Sequence, residues 1–321
     1  MVLLGSGIYI MISLESAKNE FNNKLVEVLR KTPPSIRECT SYLSKSLGKN
    51  LRGNCILIVA SDENQFVHED AINLAVAIEL FHLATLVHDD IIDDSPKRRG
   101  MDSLQSRFDK KTAVICGDYI LAMAIELALK VDIKDEYKKY SLANYAKSVC
   151  LGELMQDTNL FNYNLSLKRF LTIIRGKTAA LFEAAFVSGA IVLGEPKSKV
   201  DLYKNIGRYI GMIFQMSDDC MDYELTQAES NKPVLSDIAK GVITLPLIYA
   251  MKKNETIREK LEQGYDKNIL AREIINFGGV EFTKAFSDRY YDKSIVCLDK
   301  LEISSEKYTM IKNVLDVAAR R

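Results

Sequence analysis

DAINLAVAIELFHLATLVHDDIIDDSP, residues 70–96, decides how this chain folds. Ala71, Leu74, Ala77, Ile78, Phe81, Leu86 and Ile92 recur at helical intervals, and Pro96 ends the run. Similar spacing, in stretches rich in Ala, Leu, Ile, Glu and Lys, predicts helices over 112–131, 136–157, 167–193, 199–223 and 281–301. Residues 55–60 are compatible with a strand, but no series of alternating runs joined by hairpin turns accompanies them. The punctuation at 32–35, 95–100, 194–197 and 229–233 reads as connections between helices, and no Gly/Ser-rich or Pro-rich linker divides the chain. The expectation is an all-α fold, a single-domain bundle over residues 15–321.

The chain has 321 residues, enough to bury a sizeable core, and its 43 Lys plus Arg balance its 43 Asp plus Glu. No global field attracts nucleic acid or an anionic membrane surface, so any anion site must be built locally. Cys39, Cys55, Cys116, Cys150, Cys220 and Cys297 are far apart and form no C-x-x-C pair, which suits a reducing cytoplasm. Residues 1–14 are apolar but lack a basic n-region and a small-residue cleavage site; they are expected to be a disordered leader or a first helical turn, with Met11 an alternative start. No other window is expected to approach the roughly 20 apolar residues of a membrane helix.

Two motifs carry the chemistry: Asp89-Asp90-Ile91-Ile92-Asp93 and Asp218-Asp219-Cys220-Met221-Asp222, each D-D-x-x-D. On a helix the first and last aspartates share a face one turn apart, with the middle one about 100° around. Clusters of this kind facing across a bundle would hold hard cations such as Mg²⁺, which keeps waters and takes further ligands from phosphates. An acidic run on a helix is often only a solvated face. Here each follows a strongly apolar run, residues 81–88 and 209–216, where neighbouring carboxylates make sense when a cation neutralises them.

Basic residues complement the acids. Lys49 and Arg52, three apart, would point the same way on a helical turn, and Arg98 and Arg99 follow the first motif in a loop ending at Gly100. Lys177 precedes Thr178 and Lys232 precedes Pro233. Arg forks grip phosphate oxygens bidentately and Lys offers a mobile point charge. Any one of these alone would be an ordinary solvating side chain; their combination with two D-D-x-x-D motifs is informative.

At this point the sequence resembles the trans (E) prenyl diphosphate synthases over nearly its whole length. The resemblance rests on Gly48-Lys49-Asn50-Leu51-Arg52, on residues 82–90 continuing to Arg98-Arg99-Gly100, and on Gly117-Asp118-Tyr119. Gly176-Lys177-Thr178, Phe214-Gln215-Met216-Ser217-Asp218-Asp219, Thr244-Leu245-Pro246 and Gly278-Gly279 follow in the family's order. It implies an isoprenoid-synthase bundle around a deep central cavity, and a magnesium-dependent enzyme joining isopentenyl diphosphate to an allylic diphosphate. Lys49, Arg52, His82 and Arg99 would hold the isopentenyl diphosphate. Asp89, Asp93 and Asp218 would be the principal magnesium ligands, supported by Asp90, Asp219 and Asp222, with several ions per site. Arg98, Lys177 and Lys232 would grip the allylic diphosphate, while Thr178 and Gln215, with Lys177 the catalytic set, would turn oxygens toward the developing allylic cation.

The growing product needs an apolar tunnel, lined on this reading by the helix before the first motif. Ala84 and Thr85 leave room beside the reacting end and Phe81 would be a floor, so a product of four or more isoprene units is expected. Asn50, Gly53, Asn231 and Val242 depart from the residues usual in the family, namely Arg, Pro, Gly and Lys. A homodimer is expected, with a heterodimer, in which a partner chain is needed for long products, as the other arrangement. A terpene cyclase would carry a different second motif. A phosphohydrolase built on the His88-Asp89 doublet would need more histidines than His68 and His82 supply.

Overall fold

The computed structural model describes residues 2–3, 8–9, 11–132, 134–224 and 235–321. They form sixteen α-helices and three short antiparallel strand pairs, an all-α architecture as the periodicity anticipates. The chain divides into two compact units: Met1–Asn144 with Ala184–Lys204 and Ile303–Ile311, and Tyr145–Glu183 with Asn205–Glu302 and Lys312–Arg321.

In the first unit, α1 (Leu14–Arg30), α2 (Pro34–Leu43), α3 (Leu51–Ala60), α4 (Glu69–Ile92), α5 (Leu104–Arg107) and α6 (Lys110–Leu129) follow one another. Central α4 packs on α1, α3 and α6 and is buried around most of its circumference, which is why its sequence is apolar beyond a single stripe. Phe21, Leu25, Ile56, Leu57, Ile72, Leu80 and Phe81 are core residues. The α4 start is fixed by His68, whose Nδ1 accepts the Asp70 amide at 3.1 Å.

Three expectations change here. Residues 55–60 lie in α3, because their continuous apolar run is buried on all sides and cannot be told from a strand by period alone. β1 (Val2–Leu3) pairs with β2 (Ile8–Tyr9), and β3 (Met11–Ser13) pairs with β4 (Phe66–His68); the chain becomes helical only at Leu14, where Ser13 caps α1. Three helical stretches are in fact long and apolar enough to cross a membrane: Glu69–Ile92, Lys110–Leu129 and Leu167–Leu193. Alanines and scattered polar residues hide this from a count of uninterrupted apolar runs. The most apolar windows of the first and third are 72% and 67% buried within the protein, that of Lys110–Leu129 only 33%.

Lys307 stitches the first unit. Its buried ammonium donates to the carbonyls of Val59 at 2.6 Å and Ser61 at 2.8 Å, the end of α3, and lies 5.6 Å from the Tyr203 ring centre. Burial pushes this lysine down to about 8.

The second unit contains most of α7 (Leu142–Asp157), α8 (Leu167–Ile174), the start of α9 (Ala180–Leu193) and most of α10 (Lys197–Glu224). It continues through α11 (Ser236–Lys240), α12 (Leu245–Lys253), α13 (Thr256–Glu262), α14 (Lys267–Asn276) and α15 (Gly279–Asp299) to the end of α16 (Ser305–Ala319). A single turn of π-helix, Arg175–Ala179, interrupts the predicted 167–193 helix, and a 3₁₀ turn, Asp135–Tyr140, precedes α7. The core joins Met216, Cys220 and Tyr223 of α10 to Leu247, Ile274 and Val280. An aromatic row runs from Tyr249 stacked on Phe282 at 4.0 Å, through Phe286 and Tyr290, to Tyr209.

Candidate active site

Both D-D-x-x-D motifs lie at C-terminal helix ends, the first closing α4 and the second in the last turns of α10. Carboxylates there face the negative pole of the helix dipole and repel one another, an arrangement that a cation relieves.

At the α4 end, Asp93 donates its amide to Asp89 O at 2.8 Å, so Asp89 and Asp93 share a face one turn apart. Asp93 is exposed and Asp89 half-buried, whereas Asp90 is 4% exposed and turned inward. Arg98 donates to Asp90 Oδ1 through Nε at 2.9 Å and through Nη2. What brings Arg98 back is a hairpin, β5 (Lys97–Arg98) with β6 (Met101–Asp102). Its two-residue loop is Arg99-Gly100, with φ of 51° and 79°, both in the left-handed region that such a tight turn demands. Gln105 donates to the carbonyl of Asp90 at 2.6 Å, which also accepts the Ser95 amide at 2.8 Å, and to that of Ser95 at 3.1 Å. Arg99 reaches Ser46 O at 2.9 Å.

Arg52, Arg98 and Arg99 all act electrostatically on His82, whose imidazole is held well below its usual value, first by burial and then by these three guanidiniums. His82 is therefore neutral near pH 7, a hydrogen-bonding group within a positive neighbourhood that suits a diphosphate. Lys49 is not on one helical turn with Arg52. Asn50, at φ 49°, breaks the backbone before α3 begins at Leu51, leaving Lys49 in the preceding loop and exposed. Phe81 and Ala84 are each 1% exposed, while the Thr85 hydroxyl donates to His82 O at 2.8 Å. His88 Nε2 lies 3.3 Å from Asp118, and among the described residues no three His, Cys, Asp or Glu side chains gather to hold a metal by themselves.

In the second unit the π turn shapes the site. Gly152 of α7 packs so tightly on it that a Cβ at 152 would lie 2.3 Å from the Lys177 nitrogen. The wide turn presents Lys177 to Glu153 at 2.9 Å and Thr178 to Gln215. The Thr178 hydroxyl donates to Gln215 Oε1, and Gln215 Nε2 donates to Asp219 Oδ1 at 2.8 Å. Asp219 is 3% exposed, its Oδ2 is buried with no hydrogen-bond partner among the described residues, and burial, then Asp237, raise its carboxyl well above the usual range. Asp218 pairs with Arg320 at 3.3 Å. Asp222 accepts the amides of Ser236 at 3.1 Å and Asp237 at 3.0 Å, capping α11. Lys232 and Asn231 lie outside the described residues.

Sequence reasoning missed Glu79, Glu153, Asp237 and Arg320. For Glu79 a signal existed: a carboxylate within the apolar run of α4, one turn before His82.

Residues 33–276 match the polyprenyl synthetase family. Heptaprenyl diphosphate synthase component 2 of Geobacillus stearothermophilus is 32% identical over 275 residues, covering 84% of this chain and 85% of that protein. The crystal structure of heptaprenyl diphosphate synthase from Staphylococcus aureus superposes with a TM-score of 0.87 at 30% identity, over 96% of this chain and 99% of that one. A polyprenyl synthase from Caulobacter crescentus CB15, solved with calcium and isoprenyl diphosphate, gives 0.84 at 26% identity, over 96% of this chain and 95% of that one. The chain belongs to the polyprenyl synthetase family and is a prenyl diphosphate synthase with the all-α isoprenoid synthase fold.

Proposed function

We propose that the chain joins isopentenyl diphosphate head-to-tail to an allylic diphosphate with magnesium as its cation. The product is a trans-polyprenyl diphosphate of four or more isoprene units, made in the cytoplasm with release of diphosphate. The observation that carries this reading is the pair of aspartate-rich helix ends, one of them holding a buried carboxylate oxygen, Asp219 Oδ2, without a hydrogen-bond partner among the described residues. An all-oxygen donor set suits a hard divalent cation, and ligands that the protein does not supply come from water and diphosphate. Asp89 and Asp93, with Asp218, Asp219 and Asp222, would hold the ions, which when bound supply Lewis-acid neutralisation of the leaving group.

The protein's own groups do the rest. Lys177, Arg98 and Lys232 bind the allylic diphosphate, whose carbon–oxygen bond breaks with both electrons leaving on the diphosphate. Thr178 and Gln215 direct oxygens toward the carbon that becomes electron-poor. Lys49, Arg52, Arg99 and neutral His82 hold isopentenyl diphosphate while its double bond forms the new carbon–carbon bond. A proton then passes to the released diphosphate, restoring a double bond. Apolar α4 keeps water from the reacting carbon.

Labelled isopentenyl diphosphate incubated with the purified chain, magnesium and allylic starters of increasing length tests this. Elongated products that vanish with chelator and return with magnesium are expected; none with any starter overturns it. Ala84→Phe is expected to shorten the product, and an unchanged length would show that this face does not line the tunnel.

A homodimer is the assembly we propose. Val114, Ile115 and Leu129 of α6 are large apolar side chains left exposed, at 41%, 54% and 79%. The Geobacillus relative is named a component, which favours a partner chain as the second arrangement. Light scattering at twice the chain mass, with long products from the chain alone, supports the homodimer. A monomer inactive by itself supports the partner.

A further inference from the structure

We propose that Glu79 is a positioning residue for isopentenyl diphosphate: its buried carboxylate anchors the first turn of α3 and holds Arg52 toward the ligand. The inference rests on the assignment of Arg52 to that substrate.

α3 starts without an ordinary cap, because Asn50 makes no side-chain hydrogen bond to the helix and sits at φ 49°. The first amides of a helix need acceptors from elsewhere. Glu79, on α4 and 6% exposed, provides them: Gly53 donates to its Oε1 at 2.8 Å, and the Arg52 amide also donates to it. A carboxylate at a helix N-terminus also complements the dipole. Burial disfavours the charge of the Arg52 guanidinium, Glu79 favours it and Arg99 disfavours it; burial also raises the Glu79 carboxyl, with Arg52 the largest influence holding it down. Without a counter-charge beside Arg52, mutual repulsion among Arg52, Arg98 and Arg99 would drive the movable guanidiniums apart. Glu79 and His82, three apart on α4, lie on one face, so the acid sits one turn from the imidazole.

The contact uses a departure from the family pattern. Gly53 stands where the family pattern usually has Pro, which has no amide proton to donate. Its lack of a side chain is used as well, for a Cβ there would lie 2.4 Å from Phe21 and 3.1 Å from the Glu79 Cγ.

Glu79→Gln keeps the shape and an acceptor but removes the charge. By calorimetry with isopentenyl diphosphate, and in its KM, we expect a loss of about tenfold, while saturated turnover and the allylic KM stay within about twofold. In an Arg52→Ala background the same substitution should add no further loss. Equal multiplicative losses in both backgrounds, or wild-type affinity in Glu79→Gln, overturn the proposal, as does an equal rise in both KM values. Should Glu79→Gln fail to fold, Glu79→Asp carries the test. The shorter acid should weaken isopentenyl diphosphate severalfold and spare the allylic substrate; wild-type affinity for both would leave only a structural cap. Unchanged affinity in Arg52→Ala alone would instead show that the substrate assignment itself is wrong.

Discussion

The α4 and α10 ends carry the same D-D-x-x-D spelling and solve the same electrostatic problem in different ways. At α4 the inward-turned aspartate, Asp90, is neutralised by Arg98, so the protein supplies the counter-charge itself. At α10 the inward aspartate, Asp219, accepts an amide N–H from Gln215, is pressed by Asp237 and keeps one buried oxygen without a hydrogen-bond partner among the described residues. One motif has a paired arginine at its root; among the described residues the other has none. A repeated motif therefore need not mean a repeated environment.

The largest effect should come from removing either motif's leading acid. Asp89→Ala and Asp218→Ala are each expected to lower turnover by about a thousandfold or more with the circular dichroism unchanged, the scale of losing a metal's Lewis-acid contribution. If only one does so, the ends are not equivalent partners in the reaction.

Next comes substrate preference. Arg52→Ala and His82→Ala should raise the KM for isopentenyl diphosphate by roughly tenfold to a hundredfold and hardly alter the allylic KM, with Lys177→Ala doing the reverse. Equal changes in both constants would dissolve the division of labour between the two regions.

The inward aspartates themselves should respond with opposite signs. In metal-free buffer, Asp90→Asn strands Arg98 and is expected to lower stability by about 1–2 kcal/mol, the arginine being partly exposed. Asp219→Asn removes a charge that burial disfavours and is expected to leave stability unchanged or raise it by about 1 kcal/mol. Chemical denaturation measures both; losses of the same size would erase the contrast.

The smallest effect concerns pH. His82 is held neutral in the fold, whereas in the unfolded chain it takes a proton as pH falls through 6.5, its ordinary value. Its contribution to stability is thus complete above 6.5 and lost below it, by at most about 1.4 kcal/mol per pH unit. All three histidines precede residue 144, so this sensitivity belongs to the first unit. Melting curves between pH 7.5 and about 5 should show a shallower decline in His82→Gln than in wild type; parallel curves would mean that His82 is not the source.

The helices and both acidic motifs were legible because each depends on residues close in sequence. Period in α4 marks a buried helix, and D-D-x-x-D marks a helix end once the apolar run before it is recognised. What escaped depends on tertiary or backbone detail. Residues 55–60 have no period to read, since every face is buried. Asn50, of a residue type that tolerates the left-handed region, separates Lys49 from Arg52 there, a break that the three-residue spacing alone does not show. The π turn at 175–179 follows from close packing of Gly152 on its backbone, a contact between residues more than twenty apart. Gly53 looks like a plain departure from pattern until the Glu79 carboxylate is seen beneath it.

Lys307 has a consequence for how the chain is made. The first unit draws on residues 303–311, and the Lys307 ammonium satisfies the end of α3 from 248 residues downstream. During synthesis, α1 to α6 emerge long before their last partner does, at the roughly 5–20 residues per second of translation. Native closure of the amino-terminal unit is accordingly delayed until residues 303–311 have emerged, and a ribosome stalled before codon 303 holds a first unit whose α3 still lacks its clasp.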